Sequence, residues 1–387
     1  MREELRIMVP RSLFGPEHEE FRNTLRRFFA DEVMPHHAAW EAQGYVDRKL
    51  WNRAGEMGLL CMAIPEEYGG LGADRLFSIV LMEEKAYLGA TATTFEIHSD
   101  VIANYIFHFG TEAQKLHWLP KMASGVAVGA VAMTEPSGGS DLQAIKTRAV
   151  VDGDEYVLNG SKIFITNGHH GDIFVVVART GDSGEGKRDI SLILVEGDRA
   201  GFTKGKPLQK VGMKGQDTCE LFFENVRLPR SNLLGGVEGK GFMQLMQELA
   251  WERLMVAIGA IAGARMALDV TLEYTRNRKV FGKSVDSYQN SRFKLAEMKS
   301  EIAIGQVFVD RCIELALARQ LAPEASAAAK YWTTDLHCKV VDQCLQLHGG
   351  YGYMMEYPIA HAFIDSRASR IYLGTNEIMK EVIARTL

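Results

Sequence analysis

The spacing of apolar residues changes twice along this chain, and this change constrains the fold more than any other feature. From about residue 16 to 125 apolar side chains recur at helical spacing, as at Phe21 and Leu25. From about 127 to 230 short β-rich runs such as IFVVVA and ISLILV take over, and after Gly239 the helical spacing returns. The pattern predicts helices, then strands, then helices.

Length and turn residues add detail to this order. A chain of 387 residues exceeds what one core usually organises, which predicts two or three subdomains. The run YVLNGSKIFIT predicts a hairpin, because Asn159-Gly160 suits a type I′ turn. At the C-terminus, IYLGTNEI predicts a turn that leads into a short helix. Gly374 permits a positive φ there, and Thr375 or Asn376 can cap the helix.

Charge and cysteine content exclude several classes of function. With 44 basic and 49 acidic residues the net charge is −5, so no strong field favours nucleic acid or an anionic membrane. The five cysteines form no C-x-x-C pair and predict neither a metal site nor a disulfide framework. The apolar run from Leu254 to Ala264 is too short for a membrane span, and the N-terminus has no signal-peptide pattern. We expect a soluble, cytoplasmic protein that binds neither metal nor nucleic acid.

One acidic residue lies on an apolar helical stripe. The stripe consists of Phe242, Leu245, Leu249, Glu252, Val256, Gly259, Gly263, Met266 and Val270, a spacing that suits packing in a helical bundle. Carboxylates are rarely buried unless paired. Glu252 is therefore either one half of a structural ion pair or a functional group with a perturbed pKa. The adjacent Arg253 does not decide this, since neighbouring helical residues point in different directions.

A loop of small residues follows the apolar run VAVGAVAM. In AMTEPSGGSDL, residues 132–142, glycine and serine let backbone N–H groups approach a phosphate, and Thr134 adds a hydroxyl. Taken alone, such a pattern is more often just a loop. The sequence contains no Walker A motif, no G-x-G-x-x-G that opens a helix after a strand, and no H-E-x-x-H.

Taken in order, segments along nearly the whole chain resemble the acyl-CoA dehydrogenase family. They are AMTEPSGGSDLQAIKT, LNGSKIFITNG, GMKGQDTCELFFENVRLP, RKVFGK, YQNSRFKLAEMK, CLQLHGGYGYMMEYPIAHAFIDSR and IYLGTNEI. The resemblance implies an α+β fold with an N-terminal all-α domain at 1–127, a middle β-barrel domain at 128–238 and a C-terminal four-helix bundle at 239–387. Members usually assemble as homotetramers with FAD in each active site.

The resemblance also implies the residues that hold FAD. On the flavin side these are Met133, Thr134, Gly139, Ser140, Phe164 and Thr166. Thr134 would form a hydrogen bond with the edge of the flavin isoalloxazine ring, and Thr166 would lie near the flavin N5 atom, which accepts hydride. The residues implied to reach the adenosine diphosphate part from a neighbouring subunit, or the pyrophosphate from the terminal turn, are Arg278, Phe281, Gln289, Gln346, Gly350, Thr375 and Glu377.

The position of the catalytic base also follows from the resemblance. Many family members carry a catalytic Glu immediately before Gly-Thr in the terminal turn, where this chain has Leu373. The long-chain and isovaleryl-CoA dehydrogenases carry it instead in an ERL motif on the long helix, and Glu252 begins that motif here. The substrate contacts implied are Ser140, Arg253, Tyr372 and Gly374.

The implied reaction is dehydrogenation of an acyl-CoA thioester, long-chain or branched, to a trans-2-enoyl-CoA. Glu252 would remove the α-proton while flavin N5 accepts a hydride from the β-carbon, and electron-transfer flavoprotein would then accept the electrons. An acyl-CoA oxidase or a flavin monooxygenase on the same fold is an alternative. A non-catalytic acyl-CoA-binding assembly protein fits Leu373 but not the retained Glu252.

Overall fold

Helices form both ends of the chain and strands form its middle, in a computed structural model that describes residues 8–181 and 189–387. Helices fill residues 16–123, the main strands fall between 129 and 229, and helices return from 241 to 384. The predicted α, β, α order is therefore confirmed, and so is the predicted fold class.

The N-terminal helices enclose a core of large apolar side chains that includes Phe28, Trp51 and Phe95. Helix α4 shows how local sequence sets their ends: the Asp74 side chain accepts a hydrogen bond from the Leu76 amide, and Gly89 ends the helix at φ +70°. The helices are α1 (Pro16–Phe28), α2 (Met34–Gln43), α3 (Arg48–Glu56), α4 (Arg75–Leu88), α5 (Phe95–Ile97), α6 (Ala103–Phe109) and α7 (Glu112–Ala123). A π-helical segment, His98–Ile102, joins α5 to α6.

The middle part is one curled sheet. Its strands are β1 (Gly129–Ala132), β2 (Arg148–Asp152), β3 (Glu155–Thr166), β4 (Ile173–Arg179), β5 (Ile190–Glu196), β6 (Phe202–Lys204) and β7 (Thr218–Pro229). They follow the order β1-β4-β2-β3-β7-β6, and β5 also pairs with β4. In the described part of the chain β6 pairs only with β7, so the predicted barrel is a curled sheet that does not close.

The predicted hairpin at Asn159-Gly160 is wrong. Both residues lie inside β3, which continues for 12 residues and pairs antiparallel with β7. The register shifts between Leu158 and Gly160, with the extra residue on β7, so the Asn-Gly pair lies opposite a bulge and forms no turn. The chain instead reverses at Gly153, at φ +62°, between β2 and β3.

The C-terminal part is built around one long, buried helix. Its elements are α8 (Gly241–Asn277), the short strands β8 (Lys279–Val280) and β9 (Lys283–Ser284), α9 (Gln289–Leu317), α10 (Pro323–His348), α11 (Pro358–Ser366) and α12 (Asn376–Ala384). Helix α8 packs against α4, α9, α10 and α11. By length and composition α8 could cross a membrane, but 72% of its most apolar window is buried inside the protein, as in a core helix.

Candidate active site

A cavity of about 1450 Å³ brings many of the predicted site residues together. It is lined by Met133, Thr134, Gly139, Ser140, Phe164, Thr166, Glu252, Arg253, Tyr372 and Gly374. The loop after β1 carries Met133, Thr134, Gly139 and Ser140, and β3 carries Phe164 and Thr166. Helix α8 carries the glutamate and arginine, and the turn before α12 carries the last two. These are all of the residues predicted for the flavin side, the base and the substrate.

The other predicted cofactor residues do not line the cavity of their own chain. They are Arg278, Phe281, Gln289, Gln346, Gly350, Thr375 and Glu377. Phe281 is 98% exposed and has φ +47°, and Arg278 and Gln346 are also exposed. Thr375 has a local role, because its hydroxyl accepts a hydrogen bond from the Ile378 amide and caps α12.

Glu252 is buried without an ion-pair partner in the described part of the chain. It is 1% exposed, and its Oε1 accepts a hydrogen bond of 2.8 Å from the Tyr105 hydroxyl. Its Oε2 is buried and has no hydrogen-bond partner among the described residues. Burial, with a smaller contribution from Glu248, raises the pKa of Glu252 to about 7, against the lowering effects of Tyr105 and Arg253. The sequence left an ion pair open, and the geometry favours the perturbed carboxyl.

The apolar stripe of α8 faces the cavity as well as the core. Of its nine residues, the cavity is lined by Phe242, Leu249, Glu252, Val256, Gly259, Gly263 and Met266. The interpretation of this stripe as a bundle seam is therefore incomplete. Because 3.6 residues make one turn, side chains at this spacing share a face, and the cavity follows that face along the helix.

The terminal turn is held by a buried lysine that the sequence did not reveal. Lys330 is fully buried, and its Nζ donates to the Gly374 carbonyl at 2.8 Å and to Asn376 Oδ1 at 2.9 Å. Leu373 and Gly374 both have positive φ, at +53° and +86°. The Leu373 amide donates to no acceptor in residues 8–181 and 189–387, although it lies at the cavity. The turn thus leaves one backbone donor without an acceptor in the described chain, at a residue that lines the same cavity as Glu252.

A buried ion pair holds the loop of small residues, 132–142, in place. Lys162 Nζ donates to Glu135 Oε1 at 2.9 Å and to the Met133 carbonyl at 3.0 Å, and Lys162 is fully buried. Glu135 also accepts the amides of Lys146 and Thr147 at 2.6 and 2.9 Å. Burial lowers the pKa of Lys162 to about 8. The pair holds both ends of the loop, so Thr134 and Gly139 keep a fixed position.

Phe164 presents an aromatic ring to the cavity. The register between β3 and β7 shifts between Lys162 and Ile165, and Phe164 takes a strained φ of +60°. Its side chain is 63% exposed although it is large and apolar. A bulge that turns an aromatic side chain out of the sheet is typical of a ligand site. Thr134 and Thr166, which carry hydroxyl groups, line the same cavity.

Three residues at the site were missed by sequence reasoning: Tyr105, Lys162 and Lys330. Tyr105 fits the apolar pattern of its helix and gave no signal of its own. The sequence could have indicated the two lysines, because each lies in a run of apolar or small residues, in SKIFIT and AAAKYW. A lysine in such a run is buried only when it has partners.

The fold and this site together are those of an oxidoreductase of the dehydrogenase class, with a buried carboxyl of raised pKa and an exposed aromatic ring on one cavity. Family models for the N-terminal, middle and C-terminal domains of acyl-CoA dehydrogenases match residues 15–126, 130–226 and 239–387. The chain belongs to the acyl-CoA dehydrogenase family.

Relatives of known sequence and structure support this assignment. The chain is 49% identical to the mitochondrial long-chain specific acyl-CoA dehydrogenase of Sus scrofa, over 97% of this chain and 88% of that one. An acyl-CoA dehydrogenase structure from Geobacillus kaustophilus superposes with a TM-score of 0.96 at 46% identity, covering 97% and 99% of the two chains. A Mycobacterium smegmatis glutaryl-CoA dehydrogenase in complex with FADH2 gives a TM-score of 0.88 at 29% identity, covering 97% and 95%.

Proposed function

We propose that this protein dehydrogenates long-chain acyl-CoA thioesters to trans-2-enoyl-CoA, with FAD as cofactor and Glu252 as the base. The observation that carries the proposal is the Glu252 carboxyl, which is buried at the cavity with one oxygen bonded to Tyr105 and the other without a partner in the described chain. A carboxylate with an ordinary pKa is a poor base for a carbon acid. Burial raises the pKa of Glu252 to about 7, which makes its carboxylate a stronger base.

The residues of the cavity fit FAD. The exposed ring of Phe164 and the hydroxyls of Thr134 and Thr166 form a wall that a planar ring system can cover. A Cβ at Gly139 would meet only the Thr134 methyl group, at 3.5 Å, so the loop leaves space for a ligand. When bound, FAD supplies the acceptor for a hydride. Ser140 and Met133 would complete the same wall.

The chain's own residues then account for proton removal. Tyr105 holds Oε1 of Glu252, which directs Oε2 toward the acyl α-carbon and leaves it free to take the proton. Negative charge develops on the thioester oxygen as the proton leaves, and the free Leu373 amide is a donor for it. Entry of the acyl chain expels water and strengthens both interactions.

The length of the cavity supports a long acyl chain. Its α8 wall runs from Glu252 to Met266, a rise of about 21 Å at 1.5 Å per residue. At Gly259 no atom of the described residues lies within 4 Å of the Cβ position, so the glycine leaves the cavity wide there. The 49% identity to a long-chain specific relative supports the same substrate class.

We also propose a homo-oligomer, a tetramer, in which each FAD is completed by a neighbouring subunit. The residues that would do this are Arg278, Phe281, Gln289, Gln346 and Gly350, none of which lines the cavity of its own chain. Phe281 and Tyr353, at 98% and 82% exposure, are aromatic side chains that a single chain leaves in water. Electron-transfer flavoprotein is the proposed acceptor of the electrons.

The experiment is anaerobic addition of acyl-CoA substrates from butyryl- to palmitoyl-CoA, with branched acyl-CoAs, to the purified flavoprotein. Bleaching of the flavin that is fastest with the long chains supports the proposal, and no bleaching with any of them contradicts it. Aerobic turnover is measured in parallel. Stoichiometric hydrogen peroxide without an added electron acceptor would favour the oxidase alternative.

A further inference from the structure

The cavity becomes polar again far from Glu252. Lys85 on α4 donates a hydrogen bond to Oε1 of Glu96 on α5, and both residues line the cavity. The two side chains are only 10% and 15% exposed. Oε2 of Glu96 is buried and has no hydrogen-bond partner in the described part of the chain. An ion pair of this kind is costly to bury, and it is unexpected on the wall of a cavity for plain alkyl chains.

A histidine lines the same cavity from α10. Nε2 of His337 is buried and has no hydrogen-bond partner among residues 8–181 and 189–387. Burial lowers the pKa of His337 to about 4, so the ring is neutral near pH 7. Its place along α8 is fixed by Gly263, because a Cβ on that glycine would lie 2.6 Å from Cε1 of His337.

Both polar groups lie at a similar level along the axis of α8, beyond Glu252. Gly263 follows Glu252 by 11 residues, a rise of about 17 Å along α8. Helix α4 runs beside α8, with Arg75 over the Trp251 ring and Tyr87 under Arg265. Lys85 lies ten residues beyond Arg75, or about 15 Å beyond the level of Trp251. These contacts place the Lys85–Glu96 pair and His337 at a similar level along α8, and all three residues line the cavity; we call this part of the cavity the distal section.

We propose that the distal section binds a hydroxyl group near the far end of a long-chain acyl-CoA. A hydroxyl both donates and accepts, so it can donate to Glu96 while it accepts from or donates to the neutral His337 ring. A plain alkyl end leaves these polar groups without a partner, which is unfavourable in an apolar cavity. A terminal carboxylate would meet the charge of Glu96, whose cation is already paired.

The distance from the base sets the length of the substrate. A rise of about 14 to 17 Å from Glu252 along α8 corresponds to an extended acyl chain of roughly 13 to 16 carbons. This inference rests on the proposed function, because it assumes that the acyl α-carbon lies at Glu252. The probe is accordingly ω-hydroxypalmitoyl-CoA, compared with palmitoyl-CoA and with the acyl-CoA that carries a terminal carboxyl.

The test compares kcat/KM for these substrates. We expect ω-hydroxypalmitoyl-CoA to exceed palmitoyl-CoA by about tenfold, the effect of one buried hydrogen bond to a charged acceptor. His337→Leu and the double variant Lys85→Met with Glu96→Leu should each bring the ratio to near one or below, while turnover of palmitoyl-CoA persists. The matched control is Lys339→Met with Glu301→Leu, which removes an exposed ion pair between α10 and α9 and should leave the ratio unchanged.

Three results would overturn the inference. One is an equal or lower kcat/KM for the hydroxylated chain in the unaltered enzyme, another is a ratio that His337→Leu leaves intact, and the third is a preference for the terminal carboxyl. Dehydrogenation of palmitoyl-CoA with no hydroxyl preference means that this inference fails while the proposed function stands. If no acyl-CoA is turned over, the proposed function fails, and calorimetric Kd values for the hydroxylated and plain acyl-CoA still decide the hydroxyl site.

Discussion

The hydroxyl of Tyr105 donates a hydrogen bond of 2.8 Å to Oε1 of Glu252, across 147 residues of sequence. Tyr105 is fully buried on α6, so the bond joins the N-terminal helices to the core helix α8. It fixes one oxygen of the carboxyl, and the other oxygen has no hydrogen-bond partner in the described chain. It also stabilises the charged form of a group whose pKa burial raises to about 7.

Replacing this tyrosine should change the pH dependence of flavin reduction. In the unaltered protein the rate should rise with pH through about 7, as Glu252 ionises and becomes able to accept a proton. Tyr105→Phe removes the bond that lowers this pKa, so the rise should move to higher pH. We expect the rate at pH 7 to fall by roughly threefold to tenfold and to recover substantially at pH 9. Anaerobic stopped-flow reduction from pH 6 to 9 measures this.

Tyr68→Phe is the matched control for that change. The Tyr68 hydroxyl also donates to a carboxylate, Glu112, at 3.0 Å, but neither residue lines the cavity. Its pH profile should superpose on that of the unaltered protein. A Tyr105→Phe profile with the same midpoint and only a lower plateau would show that the bond does not set the pKa of the base.

Glu252 should also make stability depend on pH. Its folded pKa of about 7 lies above its usual value of 4.5, so the folded state holds the proton more tightly than the unfolded state. This stabilisation is complete below about pH 4.5 and is lost as pH rises through 7. Glutamine does not ionise, so Glu252→Gln lacks this loss. The free energy of unfolding of Glu252→Gln minus that of the unaltered protein should therefore be about 2–3 kcal/mol larger at pH 8 than at pH 5. Denaturant unfolding at the two pH values checks the difference.

Glu301→Gln controls for a general effect of removing a carboxylate, since Glu301 is partly exposed and paired with Lys339. Its effect on stability should be nearly the same at both pH values. If Glu252→Gln behaves in the same way, the carboxyl is not the buried, perturbed group described above.

The lysine below the terminal turn should affect the reaction without touching substrate. Lys330→Met removes the ammonium group, and with it the hydrogen bonds to the Gly374 carbonyl and to Asn376 Oδ1. We expect a loss of about 1–3 kcal/mol in stability, and a slower reduction because the Leu373 amide shifts from the thioester. The reduction rate should fall by about tenfold while the Kd for acyl-CoA changes little. Lys339→Met, an exposed lysine on the same helix, should change neither quantity.

The proposed shared cofactor site predicts that flavin retention depends on assembly. Phe281→Ser replaces the most exposed of the aromatic side chains implied at a neighbour's FAD. We expect lower FAD occupancy and a smaller assembly on sizing with light scattering, while Phe308→Ser, at a half-exposed site on α9 without an implied FAD contact, should retain its flavin. A monomeric protein with full FAD occupancy would contradict the shared site.

Local rules predicted the parts of the site that depend on adjacent residues. The turn before α12 formed as expected, because Gly374 has a positive φ and Thr375 caps the helix through its own side chain. The same rules were wrong at Asn159-Gly160. There, pairing with β7 along nearly the whole strand outweighs the turn preference of two residues. A bulge in the β3–β7 pair accommodates them within the sheet.

Contacts between distant residues account for what the sequence did not predict. Tyr105 meets Glu252 only after the N-terminal and C-terminal parts have packed, and Lys330 meets Gly374 only after α10 has packed against the turn before α12. The stripe on α8 has the spacing of a bundle seam, and nothing in that spacing reveals that a cavity lies along it. The cavity exists because the surrounding elements do not pack directly against this stripe. That arrangement is a property of the whole fold.

The central claim is that Glu252 is the base, and single-turnover flavin reduction tests it most directly. Glu252→Gln keeps the size of the side chain and an oxygen for Tyr105, but cannot take a proton. Mixed anaerobically with palmitoyl-CoA in a stopped-flow instrument, this variant should retain FAD and reduce it at least about 10²-fold more slowly than the unaltered protein. Reduction at a near-normal rate would contradict the account.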